Sequence, residues 1–144
     1  MTERRLGAAA VIRDRQGRVL LVRHSYGRLN WELPGGLGES NESTIETAIR
    51  EVREETGLEV AAERTTGVYY ERGDDMHHFV FLCRPLDETV APRPDLSEIT
   101  NCGYFSPDAL PRPISDFTIR RIVDAVSGAA PPLPVVVPPR TWLE

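Results

Sequence analysis

The segment Thr44–Thr56 combines the apolar spacing of an α-helix with start and stop signals at its two ends. Ser43 followed by Glu46 fits a capping box, and Gly57 stands where helices commonly end in a left-handed residue. Apolar side chains at i, i+3, i+4 and i+7 would share one face: Ile45, Ala48, Ile49 and Val52. The sequence therefore predicts an amphipathic helix over Thr44–Thr56, packed through this face.

Three glutamates near the end of this helix call for a compensating charge. Glu51, Glu54 and Glu55 lie about 120° from the apolar face on a helical wheel, beside whatever cleft adjoins the helix. The helix dipole does not help them, since it favours cations at this end. One explanation is a solvated acidic face, with Arg50 and Arg53 as partners. The other is a divalent cation such as Mg²⁺, which prefers carboxylate, water and phosphate oxygens.

The composition excludes several other chemistries. All 17 basic residues are arginine, which rules out a P-loop and Schiff-base catalysis, because both need a lysine. A formal net charge of -5 does not favour non-specific binding to nucleic acid. Cys83 and Cys102 form no CxxC pair, so they offer little for a zinc site and suit a reducing compartment.

The length of 144 residues predicts one globular domain. The opening residues, MTERRLGAAAVIRDR, lack the apolar run of a signal peptide, and no run is long enough to cross a membrane. We therefore expect a cytoplasmic protein without a membrane partner.

Apolar runs on both sides of the helix predict strands. Leu6–Arg13 and Arg18–His24 flank a glycine-containing turn, which predicts a β-hairpin whose strands are covered on both faces. After the helix, GLEVAAERTTGVYYER predicts one or two strands, and MHHFVFLCRP and ITNCGYF one each. DFTIRRIVDAVSG predicts a second helix. This pattern indicates an α/β fold with a mixed β-sheet between helices.

The residues from Ala129 onward have a different composition from the rest. Five prolines exclude a helix or a central strand there. We predict a main domain over residues 1–128 and a proline-rich tail over 129–144, docked through Val135–Val137 and Trp142. A role for PPLPVVVPP as a polyproline ligand of another protein is the alternative.

The spacing of glycine, glutamate and arginine around the predicted helix resembles the Nudix box, GX5EX7REUXEEXGU, in which U is apolar. Every fixed position is filled: Gly36, Glu42, Arg50, Glu51, Val52, Glu54, Glu55, Gly57 and Leu58. The flanking WELPGG and the late GYFSPDALP also agree with this family. The resemblance implies a Nudix-type α/β/α sandwich and a Mg²⁺- or Mn²⁺-dependent hydrolase of a nucleoside diphosphate linked to a moiety X.

The resemblance also implies roles for the box residues. Arg50 would orient the glutamates through charge-assisted hydrogen bonds. Glu42 would support the metal ligands or hold a further ion through water. Glu39, outside the fixed pattern, is either an additional metal-site carboxylate or a loop charge. The implied metal-binding groups are the carbonyl of Gly36 and the carboxylates of Glu51, Glu54 and Glu55.

The general base stays open between two glutamates. Members of the family place it either in the box, which here means Glu54, or on a later loop, which here means Glu98. A base must reach the attacking water within hydrogen-bond distance, which a sequence does not show.

The substrate is predicted only by elimination. Glu71–Met76 has neither the proline associated with ADP-ribose nor the tyrosine associated with dinucleoside polyphosphates in this family. We therefore expect a nucleoside triphosphate or a related small nucleotide, with ADP-ribose or a nucleotide sugar as the alternative. A module that binds nucleotides without hydrolysis is disfavoured, because no box glutamate is missing. The sequence leaves open whether the protein forms a homodimer. Candidate substrate-binding residues, each of which could instead be packing or surface, are Arg28, Trp31, Glu32, Tyr69 and Arg72, with Tyr26, His77 and Phe79 also considered.

Overall fold

The computed structural model describes residues 6–144 as two mixed β-sheets with two α-helices. Residues 1–5 lie outside the described residues. They belong to the predicted domain and to the opening segment in which no signal peptide was predicted. The helices are α1 (Thr44–Thr56) and α2 (Asp116–Val126). The strands are β1 (Leu6–Ile12), β2 (Val19–His24), β3 (Trp31–Glu32), β4 (Gly35–Leu37), β5 (Val60–Glu71), β6 (Met76–Pro85), β7 (Ile99–Phe105), β8 (Ile114–Ser115), β9 (Val135–Val137) and β10 (Trp142–Leu143).

Each sheet combines parallel and antiparallel pairs. The first has the strand order β4-β1-β6-β5-β9, in which β1 runs parallel to β6 and β5 parallel to β9. The second has the order β10-β8-β3-β2-β7, in which only β3 and β8 are parallel. This confirms the predicted α/β class and mixed pairing. Within residues 6–144, no helix is long and apolar enough to span a membrane.

The predicted hairpin between the first two strands is wrong. The main chains meet only near the turn, where Arg13 and Val19 form one bridge and the Asp14 N–H donates to the Arg18 carbonyl at 3.0 Å. Beyond it, β1 and β2 enter different sheets. The reason is that Ala8–Ile12 and Val19–Val22 are buried throughout, so each strand lies inside its own sheet. The predicted burial of both faces is thereby confirmed.

Helix α1 has the predicted bounds and caps. The capping box pairs Ser43 with Glu46, and Gly57 adopts φ 75° while its N–H donates to the Arg53 carbonyl. The predicted apolar face is partly wrong, because Ile45 is 44% exposed. The buried face includes the polar residues Thr47 and Glu55, and both have hydrogen-bond partners. Thr47 donates to Glu42 at 2.6 Å, and Glu55 accepts from a backbone N–H.

The proline-rich segment is extended and docks through Val135–Val137 and Trp142, as predicted, and the structure places these two parts on different sheets. Strand β9 adds to the edge of the first sheet along Tyr69–Glu71, and β10 adds to the edge of the second along Ile114–Ser115. Val137 is 6% exposed and joins the core. The residues between the two strands therefore cross from one sheet to the other, and Arg140 is among them.

Candidate active site

The candidate active site begins where two glycines of β4 meet the second half of α1. A Cβ on Gly36 would lie 2.6 Å from the Glu51 carboxyl carbon, so a larger residue there would displace this carboxylate. The neighbouring Gly35 donates its N–H to the Glu55 carboxylate at 3.0 Å, and a Cβ there would meet the Ala8 carbonyl at 2.3 Å. The two glycines thus place main chain directly against two box glutamates.

Glu51 and Glu55, one helical turn apart, form a carboxyl pair in which Glu55 is buried and Glu51 is half-buried. Burial, reinforced by the negative charge of Glu51, raises the pKa of Glu55 to about 9, although the Gly35 N–H acts against this. Burial also raises the pKa of Glu51, although its hydrogen bond with Arg50 opposes the shift. Each carboxyl therefore makes it costly for the other to carry a negative charge, which favours a proton on one of them in the absence of a cation. These two carboxylates and the Gly36 carbonyl are hard oxygen donors, so the donor set fits a divalent cation, which would bind with release of a proton.

Arg50 connects the glutamates of the helix to those of the preceding loop. Its Nε donates to Glu42 at 2.6 Å, and its Nη1 donates to Glu51 at 2.9 Å. The hydrogen bonds with Glu42 are the main reason that the pKa of Arg50 is raised, and they lower the pKa of Glu42 to about 2. Glu39 is more exposed, with its carboxylate 3.6 Å from Arg50. The structure therefore gathers both loop glutamates and Glu51 around one arginine.

Glu54 shares the Nη1 group of Arg50 with Glu51 but is more exposed than either member of the pair. Its side chain is 54% exposed and accepts a hydrogen bond from Arg50 at 3.1 Å. Correspondingly, among residues 6–144 no group of three Asp, Glu, His or Cys side chains is arranged to hold a metal ion. The described geometry is thus a pair of carboxyls, with Glu54 engaged by Arg50. A three-carboxylate set requires Glu54 to leave that arginine.

A cleft of about 210 Å³ adjoins the glycines and leads away from the helix. Residues of β1 and β4 line it. Beside it, the rings of His24 and Tyr26 stack with centroids 4.8 Å apart and planes 9° from parallel. Its polar side chains are His24, Tyr26, Glu32, His78, Arg121 and Arg140.

Glu32 is the centre of the polar network in this cleft. It accepts hydrogen bonds from Arg121 at 2.6 Å and from Arg140 at 2.9 Å. Burial alone would raise the pKa of Glu32, but the charges of the two arginines and the Leu33 N–H outweigh it and lower the pKa to about 2. Arg140 also donates to Glu71 at 3.1 Å, and Glu71 contacts His78 at 3.0 Å. Glu32 therefore lines the cleft as an ionised, fully paired carboxylate.

Two predicted substrate contacts belong to the core instead. Tyr69 is fully buried against the edge of Phe117, and its hydroxyl donates to Asp124 at 2.6 Å. Trp31 is 7% exposed and packs edge-on against Phe105. Neither residue lines the cleft, so the structure gives their predicted role in substrate binding no support. Both follow the ordinary tendency of aromatic residues in strands to fill a core.

Other predicted contacts lie outside the cleft. Arg28 is exposed, pairs with Glu144 at 3.0 Å and lies over the Trp142 ring. Arg72 is exposed beside the Tyr70 ring. Of the residues that were also considered, Tyr26 does line the cleft, whereas His77 and Phe79 do not.

Glu98 lies on the glutamate side of the cleft. It is exposed, and its carbonyl accepts from the Ser25 N–H at 2.9 Å. Burial and then the charge of Glu98 raise the pKa of Tyr26, and Glu98 contributes in the same direction at Glu55. The two candidate bases, Glu54 and Glu98, therefore approach the carboxyl pair from different elements.

Sequence reasoning missed several residues of the cleft. Arg121 stands on the buried face of α2, one turn from both Phe117 and Ala125, and a charge at such a position signals a buried partner. Arg140 follows two prolines and carries no comparable signal. The other residues missed are His24, Met76 and His78.

Comparison with known proteins agrees with this geometry. A family model described as NUDIX domain matches residues 3–126. The chain belongs to the NUDIX family. It is thus a Nudix hydrolase acting on phosphoric anhydrides, and Nudix hydrolases generally use divalent metal ions. The matched region ends before β9, β10 and Arg140.

Two relatives resemble this Nudix hydrolase over most of their length. A "MutT-like protein" of Streptomyces ambofaciens is 34% identical over 124 residues, which cover 86% of this chain and 77% of the relative. A "Putative 8-oxo-dGTP diphosphatase" of Bacillus subtilis is 32% identical over 124 residues, which cover 85% and 80%.

Solved structures share the fold. An ADP-ribose pyrophosphatase from Streptococcus suis superposes with a TM-score of 0.75 and 26% identity, covering 94% of this chain and all of the other. A NUDIX hydrolase from Nitrosomonas europaea reaches a TM-score of 0.79 at 18% identity, covering 95% and 80%. The predicted Nudix-type fold is therefore confirmed.

Proposed function

We propose that this Nudix hydrolase cleaves a phosphoric anhydride bond of a nucleoside triphosphate with the help of Mg²⁺, for which Mn²⁺ can substitute. The observation that carries this proposal is the Glu51–Glu55 pair against Gly36 and Gly35, at one end of a cleft of about 210 Å³. This volume is below the range of about 300–1,000 Å³ that is usual for drug-sized ligands. The cleft therefore suits one base, with the phosphates extending toward the glutamates.

The metal would be held by Glu51, Glu55 and the carbonyl of Gly36, with Glu54 joining them. It would neutralise phosphate oxygens and make a water molecule more acidic. The chain's own contribution is orientation: Arg50 holds the Glu51 carboxylate at 2.9 Å and fastens the loop through Glu42. Both contacts fix ligand positions before substrate arrives.

The first experiment tests the carboxyl pair. Nucleoside triphosphates, including 8-oxo-dGTP, are incubated with the protein and Mg²⁺, and released phosphate and pyrophosphate are measured to locate the cleaved bond. We expect Glu51→Gln and Glu55→Gln each to lower kcat/KM by at least about tenfold, because metal-site groups carry effects of this size.

The matched control is Glu63→Gln, since Glu63 is an exposed glutamate 3.9 Å from Arg84 on the opposite strand of the first sheet. It should retain full activity and Mg²⁺ dependence. Activity of the Glu51 and Glu55 variants equal to that of this control would refute the proposed site.

A second experiment separates the two candidate bases. Glu54 would accept the proton of the attacking water after leaving Arg50, and Glu98 would do so from the loop before β7. Replacing the base by glutamine should lower kcat by at least about tenfold. We expect this of Glu54→Gln; the same result for Glu98→Gln alone would transfer the role to Glu98.

ADP-ribose is a second candidate substrate, and it is favoured by the similarity to the pyrophosphatase of Streptococcus suis. The same assay with ADP-ribose and a nucleotide sugar decides between them through kcat/KM.

Cytoplasm stays the predicted compartment, with Cys83 and Cys102 as free thiols.

A further inference from the structure

The proline-rich segment carries one side chain into the cleft, from beyond the region that the family model matches. This is Arg140, which lies between β9 and β10. We propose that Arg140 is a specificity-determining residue that donates to the C6 carbonyl of a purine, so that guanine-type nucleotides are preferred over adenine-type ones. The inference rests on the proposed function and specifies which nucleotide base the cleft binds preferentially.

Arg140 is held in a fixed position. Its Nε donates to Glu71 at 3.1 Å and its Nη1 to Glu32 at 2.9 Å. The guanidinium lies 5.1 Å from the centre of the Phe117 ring and 6.0 Å from that of Trp142. Its main chain is anchored as well, because β9 before it and β10 after it belong to different sheets. Such fixation limits the entropy lost when a ligand binds.

The charges in this cleft are balanced, which argues against a phosphate as its ligand. Two carboxylates, Glu32 and Glu71, face two guanidiniums, Arg121 and Arg140. Burial, with the nearby charge of Arg121, lowers the pKa of His78, which keeps that ring neutral at pH 7. A neutral polar cleft suits an uncharged ring with hydrogen-bonding edges, while the phosphates are left to the glutamate side.

The donors of Arg140 select among such rings. A guanidinium has five N–H groups, and the bonds to Glu71 and Glu32 use two of them. Guanine presents a carbonyl at C6, an acceptor that arginine recognises well, whereas adenine presents an amino donor there. The stacked rings of His24 and Tyr26 provide an aromatic surface beside the same cleft.

The test compares dGTP with dATP, which carry the same triphosphate. In Arg140→Lys the charge near Glu32 and Glu71 is retained but the planar fork is lost. We expect the wild-type protein to prefer dGTP by about tenfold or more in kcat/KM, as a well-placed base contact provides. The variant should lose most of this preference through KM for dGTP, with dATP little changed.

The matched control is Arg84→Lys, an exposed arginine 3.9 Å from Glu63, which should keep the preference. Arg140→Met serves as a second variant, and thermal unfolding shows whether each variant is folded. A purely structural role for Arg140 would lower kcat/KM equally for both nucleotides, and that result would overturn the proposal.

A binding measurement separates this proposal from the proposed function. Titration calorimetry with dGMP and dAMP, without metal, reads base preference in the absence of hydrolysis. If no triphosphate is hydrolysed but dGMP binds more tightly and Arg140→Lys removes the difference, the proposed function fails and the role of Arg140 holds. If triphosphates are hydrolysed without base preference and dGMP and dAMP bind equally, the role of Arg140 fails alone.

Discussion

At the scale of single residues, Glu32 makes the stability of the protein depend on pH. Its pKa is lowered from the ordinary 4.5 to about 2 in the folded state, so the stabilisation is present above pH 4.5 and is lost as the pH falls through 2. A shift of this size corresponds to about 3 kcal/mol. We expect urea unfolding of the wild-type protein to show a loss of this order between pH 5 and pH 2.

The comparison for this prediction is Glu32→Gln. It should be less stable at pH 7, by about 3–5 kcal/mol, because the buried Arg121 loses its charged partner. Its stability should then fall less steeply in acid. Parallel curves for the variant and the wild-type protein would show that Glu32 is not the group responsible.

Residue-scale prediction from the sequence was reliable only where spacing is fixed. The box pattern identified Glu51 and Glu55, which the structure brings together against Gly36. It did not show that Glu54 would accept a hydrogen bond from Arg50, because that contact depends on the conformations of both side chains and not on their spacing. It did not show that Tyr69 would be buried, because that burial depends on α2, far away in the sequence.

At the scale of elements, the start of α1 depends on its capping box. Ser43 accepts from the Glu46 N–H at 3.2 Å, and Glu46 accepts from the Ser43 N–H at 3.0 Å. We expect Ser43→Ala to lower the free energy of unfolding by about 1 kcal/mol, as a lost N-cap does. The exposed Ser40 provides the control, since Ser40→Ala should change it by less than about 0.5 kcal/mol. An equal effect of the two would contradict the cap's contribution.

The two kinds of element differ in how well the sequence predicts them. The bounds of α1 agree to the residue, because caps and apolar spacing are local signals. The pairing of β1 with β2 failed, because strand partners are chosen by packing across the whole chain. A glycine turn brought the strands together, but each has two apolar faces to bury and a single hairpin cannot cover them.

At the scale of the whole molecule, the proline-rich segment links the two sheets. The sequence predicted its docking through Val135–Val137 and Trp142, because apolar residues among prolines suit edge strands. It gave no indication that the docked chain would deliver Arg140 to Glu32 and Glu71, 108 and 69 residues earlier. Such long-range ion pairs leave no local pattern.

Removing residues 129–144 tests whether this segment is a separable tail or part of the domain. The truncated chain loses the buried Val137, worth about 2 kcal/mol, and leaves Glu32 and Glu71 without Arg140. We expect its free energy of unfolding to fall by at least about 3 kcal/mol in urea titrations at pH 7. A chain lacking only Glu144 is the control, because its exposed ion pair with Arg28 contributes at most about 1 kcal/mol. Equal stability of the truncated and full-length chains would make residues 1–128 a self-sufficient domain, whereas the expected loss extends the domain to the edge strands.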